Sequence, residues 1–260
     1  MNATPFPPSD SLPPPSPVAL WLFERYLRRE ARRHFSAVHW TTATQDGPGS
    51  SLPTILVANH TNWWDGFLAF LVTRALRLEF RILMEAQHLA RYRSFLRLGA
   101  LPLDRRRARA SYADLEAAAS HLRPGVGLWI FPQGSRRPPA EPVMGCERGA
   151  AHLVLQHKGP LRLCAVGFRY TFLGEQLPEA FALVGDTWTP ETTGLDRASL
   201  MTEIERRLSK TVSALDVLLE GERIDAFRPL VPGRLSVNKR LDRVRHAVGL
   251  LRGPFEARNG

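Results

Sequence analysis

The sequence predicts an α/β fold, a single layered domain in which helices flank a mixed, mostly parallel central sheet. Short β-branched apolar segments, typical of buried strands, alternate with helically spaced segments between residues 37 and 190. Hydrophobic residues make up 44% of the 260 positions, which is enough for a sizeable core. No apolar run approaches the roughly 18–20 residues that a membrane-spanning helix needs. An N-terminal amphipathic helix and C-terminal helices are expected beside this domain.

The segment that precedes the domain divides into two parts. Residues 1–17 contain seven prolines, so we expect a disordered tail there. Residues 18–36 place apolar side chains at spacings of three and four, with arginines over much of the remaining surface. This pattern predicts a basic amphipathic helix. Such a helix can lie in an anionic membrane interface or pack on the core with a solvated arginine face, and its residues favour neither arrangement.

Turn residues and apolar periodicity divide the rest of the chain into elements. The predicted strands are 52–58, 80–84, 98–103, 126–131, 161–170 and 181–185. Helices are predicted over 108–121 and 149–157, and Thr61 or Asn62 is expected to cap another that runs through Phe67 and Leu71. Residues 191–260 form a predicted C-terminal helical region, with one helix over 196–220 and a final basic helix from Ser236.

Charge and cysteine content narrow the classes of protein. The formal net charge of +10 suits nucleic acid, a membrane surface or an anionic substrate. Cys146 and Cys164 are too few for a disulfide framework, and no secretory signal opens the chain, so an intracellular protein is expected. We assign both cysteines to packing.

The segment Asn59–Asp65, NHTNWWD, directly follows the first strand of the domain. A histidine at the carboxyl end of a strand lies where α/β folds gather reactive groups. A turn can bring Asp65 back to one ring nitrogen of His60, which leaves the other nitrogen free to take a proton from a substrate hydroxyl. A purely structural His–Asp hydrogen bond is the alternative. One histidine and one aspartate are too few for a zinc site, so no metal is predicted.

Two more segments end predicted strands with arginines. In Ile130–Arg137, IFPQGSRR, Pro132 and Gly134 are expected to form a tight turn with exposed backbone N–H groups. Such a turn with neighbouring arginines suits phosphate or carboxylate oxygens, although an ordinary solvated loop has the same composition. The segment GALPLDR ends in Arg105.

Taken together and in this order, NHTNWWD, GALPLDR and FPQGSRR resemble the motifs of the glycerolipid (lysophospholipid) acyltransferase family. The founding type of this family is the 1-acyl-glycerol-3-phosphate acyltransferase. The following stretch, ERGAAHLVLQHKGPLRLCAVGF, resembles the family's next block, and the resemblance extends over about residues 40–185.

The resemblance implies an O-acyltransferase that moves a fatty acyl group from acyl-CoA or acyl carrier protein to a hydroxyl of a lysophospholipid or similar lipid. His60 would be the general base and Asp65 its orienting partner. The residues implied in binding the acceptor are Arg105, Gln133, Gly134, Ser135 and Arg136. No cofactor is implied beyond the thioester co-substrate. Members of this family are associated with membranes. The resemblance therefore also implies a peripheral protein on the cytoplasmic face of the membrane, with the helix at 18–36 bound to anionic lipid.

Two departures from the family pattern leave the acceptor open. Gln133 stands where the family usually has glutamate, and Cys164–Ala165–Val166 lacks the usual proline before its valine. A non-phosphate acceptor, such as a glycosylated carotenoid or another polar lipid, is therefore an alternative. A lipid-binding relative without catalysis is another.

A basic nucleic-acid-binding protein is the alternative of a different class, but the sequence contains no recognised nucleic-acid-binding motif and nucleic acid is not expected as a partner. Phe67, Phe70 and Leu71 are expected to wall an acyl-chain channel or to fill the core.

Overall fold

This computed structural model describes residues 12–44, 47–49, 51–139, 142–143, 145–191, 194 and 196–233. Within those ranges eight strands form one sheet in the order β4-β3-β5-β2-β6-β7-β1-β8. The strands are β1 (Val38–Thr42), β2 (Thr54–Ala58), β3 (Glu79–Glu85), β4 (Ala100–Leu103), β5 (Val126–Ile130), β6 (Arg162–Thr171), β7 (Glu179–Trp188) and β8 (Arg228–Val231). Only the β6–β7 and β1–β8 pairs of these described strands are antiparallel. The predicted α/β class with a mixed, mostly parallel sheet is confirmed.

Helices cover both faces of the sheet, as predicted. They are α1 (Pro17–His34), α2 (Asp65–Ala75), α3 (Ala86–Arg91), α4 (Ala108–Ala119), α5 (Gly149–Gln156) and α6 (Arg197–Glu220). Buried side chains of α1 and α2 pack on one face of the sheet, and those of α4, α5 and α6 pack on the other. A parallel sheet covered in this way is buried on both sides, which explains why β2 and β5 are buried throughout their length and, apart from Thr54, contain no polar side chain.

A hydrogen bond, in addition to apolar packing, connects the sheet to α2. Trp129 of β5 is fully buried, and its indole N–H donates a hydrogen bond of 2.6 Å to Oγ1 of Thr73 in α2. The same hydroxyl donates to the carbonyl oxygen of Ala69 at 2.7 Å. Because a buried indole N–H without a partner is costly, this arrangement fixes how α2 lies over β5.

Helix α1 is tied to the domain along one side and leaves its other side exposed. Ser16 caps its first turn, Pro17 occupies the first helical position, and Leu27 and Ala31 are buried. Glu24 accepts hydrogen bonds from Arg28 at 2.9 Å and from Arg74 of α2 at 3.0 Å. The exposed side carries Val18, Trp21, Leu22, Arg25, Tyr26, Arg29, Arg32 and Arg33. Among the described residues, no helix is long and apolar enough to cross a bilayer.

The structure differs from the sequence-based expectations in a few elements. Strand β8 and the short helix α3 were not predicted, and Leu98, the first residue of the strand predicted over 98–103, instead ends a 3-10 helix that covers Arg93–Leu98. Helix α2 begins at Asp65 without a side-chain cap from Thr61 or Asn62. Most of the proline-rich tail (residues 1–11) and the whole of the final helix expected from Ser236 lie outside the described residues. The domain boundaries remain a prediction.

Candidate active site

The parallel strands β2, β5 and β4 end at the same edge of the sheet, and the candidate site residues follow these strand ends. His60 comes two residues after β2, Gln133 three residues after β5, and Arg105 two residues after β4. Carboxyl ends of parallel strands share one edge, so the sheet itself brings these three segments together. The structure therefore gathers the residues that the sequence singled out.

His60 and Asp65 form a close pair. The loop after β2 turns back on itself, and Nδ1 of His60 lies 2.8 Å from Oδ2 of Asp65. The same oxygen accepts the backbone N–H groups of Thr61 at 2.7 Å and Asn62 at 2.8 Å. Thr61 and Asn62 thus contribute backbone donors to Asp65, where side-chain caps had been expected. The His60 ring and the backbone N–H groups of Thr61 and Asn62 thus all contact the same carboxylate oxygen.

This geometry assigns the two ring nitrogens of His60 different tasks. A carboxylate only accepts hydrogen bonds, so Nδ1 must carry a proton when it contacts Asp65, and Nε2 is left with a lone pair. Asp65 is completely buried, whereas the His60 side chain is 23% exposed and stacks on Phe131 with ring centroids 4.6 Å apart. A histidine held in this tautomer with one open side is arranged to accept a proton from outside the protein.

Both backbone polar groups of His60 are hydrogen-bonded. Its N–H donates to the side-chain oxygen of Gln133 at 2.8 Å, and its carbonyl oxygen accepts from the N–H of Arg137 at 2.9 Å. Gln133 is buried. The side-chain oxygen of Gln133 therefore supports the position of His60, a role that the sequence analysis did not assign to it.

The neighbouring Asn59 ties the same loop to β6. Its side-chain N–H donates to the carbonyl oxygen of Phe168 at 3.1 Å, and its side-chain oxygen accepts the N–H of Phe168 at 2.7 Å. Both residues are fully buried. Because each buried polar group of this pair has its partner, the loop that carries His60 is fixed relative to β6 before any substrate binds.

Arg105 contacts the turn that contains Gly134. Its guanidinium donates to the Gly134 carbonyl oxygen and forms an ion pair with Glu147. Gly134 has φ +68°, a left-handed conformation that favours glycine, and an added Cβ would lie only 2.6 Å from Cζ of Arg105. Ser135 and Arg136 are exposed beyond this turn. Arg105 and the turn thus form one unit at the exposed edge of the site.

Aromatic side chains follow His60 in its loop and in α2. Trp63 is 61% exposed and packs against Phe67 with ring centroids 4.7 Å apart. Phe70 and Leu71 are completely buried. These two residues therefore fill the core, which is one of the two roles expected for them, and do not line an open channel. Phe67 is only partly buried and contacts Phe23 of α1. An exposed aromatic surface therefore borders the catalytic candidate.

Sequence reasoning missed Tyr170 and Glu147. Tyr170 donates its hydroxyl to Oδ1 of Asp65 at 2.7 Å, from a strand 105 positions further along the chain. Burial, the charge of Asp65 and this hydrogen bond raise the pKa of Tyr170 well above its usual range. Tyr170 lies in no quoted motif and reaches Asp65 only through the sheet, whereas Glu147 opens the block ERGAAHLVLQHKGPLRLCAVGF but had been given no role there.

Neither of the two cysteines provides an activated thiol. Burial raises the pKa of both Cys146 and Cys164 to about 12, so both thiols stay protonated and are poor nucleophiles at neutral pH. The part of the chain that the structure describes contains no group of three or more His, Cys, Asp or Glu side chains arranged to hold a metal ion.

Comparison with known proteins places the chain in a family. The model of the family named Acyltransferase matches residues 37–167, which is half of the chain. The fold is similar to the crystal structure of the 1-acyl-sn-glycerophosphate (LPA) acyltransferase PlsC from Thermotoga maritima, with a TM-score of 0.56 and 16% identity over 76% of this chain and 79% of that one. A comparison with curated proteins gave no significant match. The residues matched by the family model include His60, Asp65, Arg105 and Gln133, and the chain belongs to the Acyltransferase family.

Proposed function

We propose that this acyltransferase moves a fatty acyl group from a thioester, acyl-CoA or acyl carrier protein, to a hydroxyl of a lysophospholipid or a similar lipid. The observation that supports this best is His60, held by a buried carboxylate through Nδ1 while its ring stays 23% exposed. A base of this kind needs no protein nucleophile when the substrate brings its own hydroxyl. The neighbouring Arg105 and exposed aromatic residues suit a lipid with a charged head group.

In the proposed reaction, His60 and Asp65 provide all the proton transfer and charge stabilisation that the protein supplies. Nε2 of His60 takes the proton of the acceptor hydroxyl as its oxygen forms a bond to the thioester carbonyl carbon. The C–S bond then breaks, and the leaving sulfur receives the same proton from the imidazolium, which releases a free thiol and the acylated lipid. Asp65 stabilises the positive charge that the ring holds between these two steps. No metal or redox cofactor enters this sequence.

Arg105 is the residue that we propose for the phosphate of the acceptor. An arginine can contact two phosphate oxygens at once, and here the Gly134 carbonyl and the Glu147 carboxylate hold the guanidinium at the edge of the site. Gly134, Ser135 and Arg136 extend the same edge, with Ser135 and Arg136 exposed. We propose that these groups bind the head group. Gln133 supports the site in a different way, because its side-chain oxygen accepts the backbone N–H of His60.

Replacing Arg105 with alanine is expected to raise the KM for a lysophosphatidic acid acceptor about tenfold or more, since a hydrogen bond to a charged group contributes about 1.5–3 kcal/mol. Initial rates of thiol release across a panel of phosphate-bearing and neutral acceptors measure the effect. Arg107→Ala is the matched control, because Arg107 lies on the same loop, is exposed and pairs only with Asp104 among the described contacts. An equal loss with neutral acceptors would favour the glycosylated or other non-phosphate acceptor.

We also propose that the exposed side of α1 holds the protein at the cytoplasmic face of an anionic membrane. Trp21, Leu22 and Tyr26 are each more than half exposed, and the Arg25 guanidinium lies 5.0 Å from the Trp21 ring centroid. Exposed aromatic residues beside arginines are typical of helices that lie in a lipid interface, where each basic residue contributes about 1 kcal/mol near anionic lipid.

The double variant Trp21→Ser/Leu22→Ser is expected to weaken binding to phosphatidylcholine–phosphatidylglycerol vesicles at least tenfold, because burying each of these side chains is worth about 1.5–3 kcal/mol. Vesicle sedimentation measures the bound fraction. Val217→Ser is a suitable control, since Val217 is 66% exposed on α6, which packs on the opposite face of the sheet. Binding that does not depend on phosphatidylglycerol, or that survives the double change, would contradict the proposed membrane surface.

A further inference from the structure

The two oxygens of the Asp65 carboxylate have separate partners. Oδ2 accepts from Nδ1 of His60 and from the backbone N–H groups of Thr61 and Asn62. Oδ1 accepts the hydroxyl of Tyr170 at 2.7 Å. The carboxylate is completely buried, so the loss of one donor cannot simply be made good by bulk water. Tyr170 is thus the partner that holds the side of Asp65 facing away from His60.

The fold places Tyr170 there through the sheet. β6 pairs in parallel with β2 up to Ala58 and Val166, and then continues beyond the end of β2. The two hydrogen bonds between Asn59 and Phe168 keep this extension beside the loop that contains His60. Two residues later, Tyr170 lies on the same side of the strand as Phe168, since side chains alternate along a strand.

The ring of Tyr170 is supported from the other side by α1. It stacks on Phe35, the residue after α1, with ring centroids 5.8 Å apart, and Phe35 also packs edge-on against Trp64 at 5.0 Å. Phe35 is buried. The hydroxyl is therefore held in place by packing on a rigid neighbour as well as by its hydrogen bond.

We propose that Tyr170 is a positioning residue for the acyl transfer, whose hydroxyl holds the Asp65 carboxylate so that Oδ2 faces Nδ1 of His60. This inference rests on the proposed function. Tyr170 has no contact with His60 among the described interactions, so it acts through Asp65. It is also a permanent donor, because its burial beside a carboxylate keeps the hydroxyl protonated.

Replacing Tyr170 with phenylalanine keeps the ring on Phe35 and removes only the O–H. The terminal torsion of an aspartate is broad, so the carboxylate gains freedom to rotate away from His60. We expect kcat to fall roughly tenfold, part of what a general base contributes, with the KM for both substrates within about twofold of the wild type. The acid limb of the pH–rate profile is expected to move to lower pH, because a carboxylate that spends part of its time turned away from His60 stabilises the imidazolium less.

Two comparisons separate this role from a merely structural one. Tyr112→Phe is the matched control, because Tyr112 is 43% exposed on α4, away from Asp65. In an Asp65→Asn background, Tyr170→Phe is expected to cause little further loss of kcat, since its effect passes through the charge of Asp65. Losses that multiply in the double variant would overturn the proposal.

Nuclear magnetic resonance of the His60 ring nitrogens tests the contact without any substrate. In the wild type the Nδ1–H tautomer is expected to dominate, and in Tyr170→Phe it is expected to mix with the Nε2–H tautomer. A wild-type protein that transfers no acyl group would defeat the proposed function, but the tautomer ratio would still support or overturn the role of Tyr170. An unchanged tautomer ratio, kcat and pH–rate profile in a folded Tyr170→Phe variant would overturn it.

Discussion

Replacing His60 with alanine is expected to lower kcat by about 10²–10⁴-fold, the range that general base catalysis contributes. The imidazole is the group that the structure holds by Nδ1 and leaves partly open on the other side. Without it, the acceptor hydroxyl has to attack the thioester while it keeps its proton. Release of free thiol from acyl-CoA in the presence of a lysolipid measures the rate directly.

The same assay needs a control for the loss of an imidazole. His88 is exposed on α3, so His88→Ala is expected to keep the wild-type rate. The backbone contacts of His60 with Gln133 and Arg137 remain in the alanine variant, but the buried Asp65 carboxylate loses one donor, so we expect the free energy of unfolding in urea to fall by about 1–3 kcal/mol without loss of the fold. A folded His60→Ala variant with more than about a tenth of the wild-type kcat would contradict the role of general base.

Changing Asp65 to asparagine is expected to reduce kcat at least about 10²-fold while it keeps the fold. The amide oxygen can still accept the N–H groups of Thr61 and Asn62, and the Tyr170 hydroxyl can turn to accept from the amide N–H. The negative charge that stabilises the imidazolium is lost. We expect the free energy of unfolding to stay within about 1 kcal/mol of the wild type, as measured in urea.

Asp65→Ala provides the comparison that separates charge from packing. It leaves four donors around a buried space without an acceptor, namely His60, Thr61, Asn62 and Tyr170, and an unpaired buried polar group costs about 1–3 kcal/mol. We therefore expect a loss of about 2–4 kcal/mol in the free energy of unfolding on top of the loss of kcat. An asparagine variant with wild-type turnover would show that the carboxylate serves only the fold.

Local information in the sequence was sufficient to predict the His60–Asp65 pair. Both residues belong to one loop and one helix start, so their approach depends on a few neighbouring torsions. The strand at Thr54–Ala58 was also predictable, because a parallel strand buried on both faces forms a nearly continuous apolar run, here from Ile55 to Ala58. The coarse order of strands and helices follows from the same kind of local pattern.

The partners that complete the site could not be found in this way. Tyr170 reaches Asp65 only because β6 lies beside β2 in one particular register, and Gln133 reaches His60 only because β5 lies on the other side of β2. Gln133 in place of the usual glutamate had left the identity of the acceptor open, but in the structure its side-chain oxygen accepts the backbone N–H of His60, a role that glutamate and glutamine can both fill. Strand β8 is four residues long and half exposed, so its sequence has too little apolar alternation to be recognised.

The aromatic contact between Phe35 and Tyr170 has a consequence for how the protein can be divided. The family model matches residues 37–167, and Phe35 and Tyr170 lie just outside its two limits. A fragment cut at those limits would keep both His60 and Asp65 but would lose the hydroxyl on Oδ1 and the ring that supports it. We therefore expect a fragment of residues 37–167 to be less active than a longer one, and we expect the portion of the chain with full activity to begin no later than Phe35 and to include Tyr170.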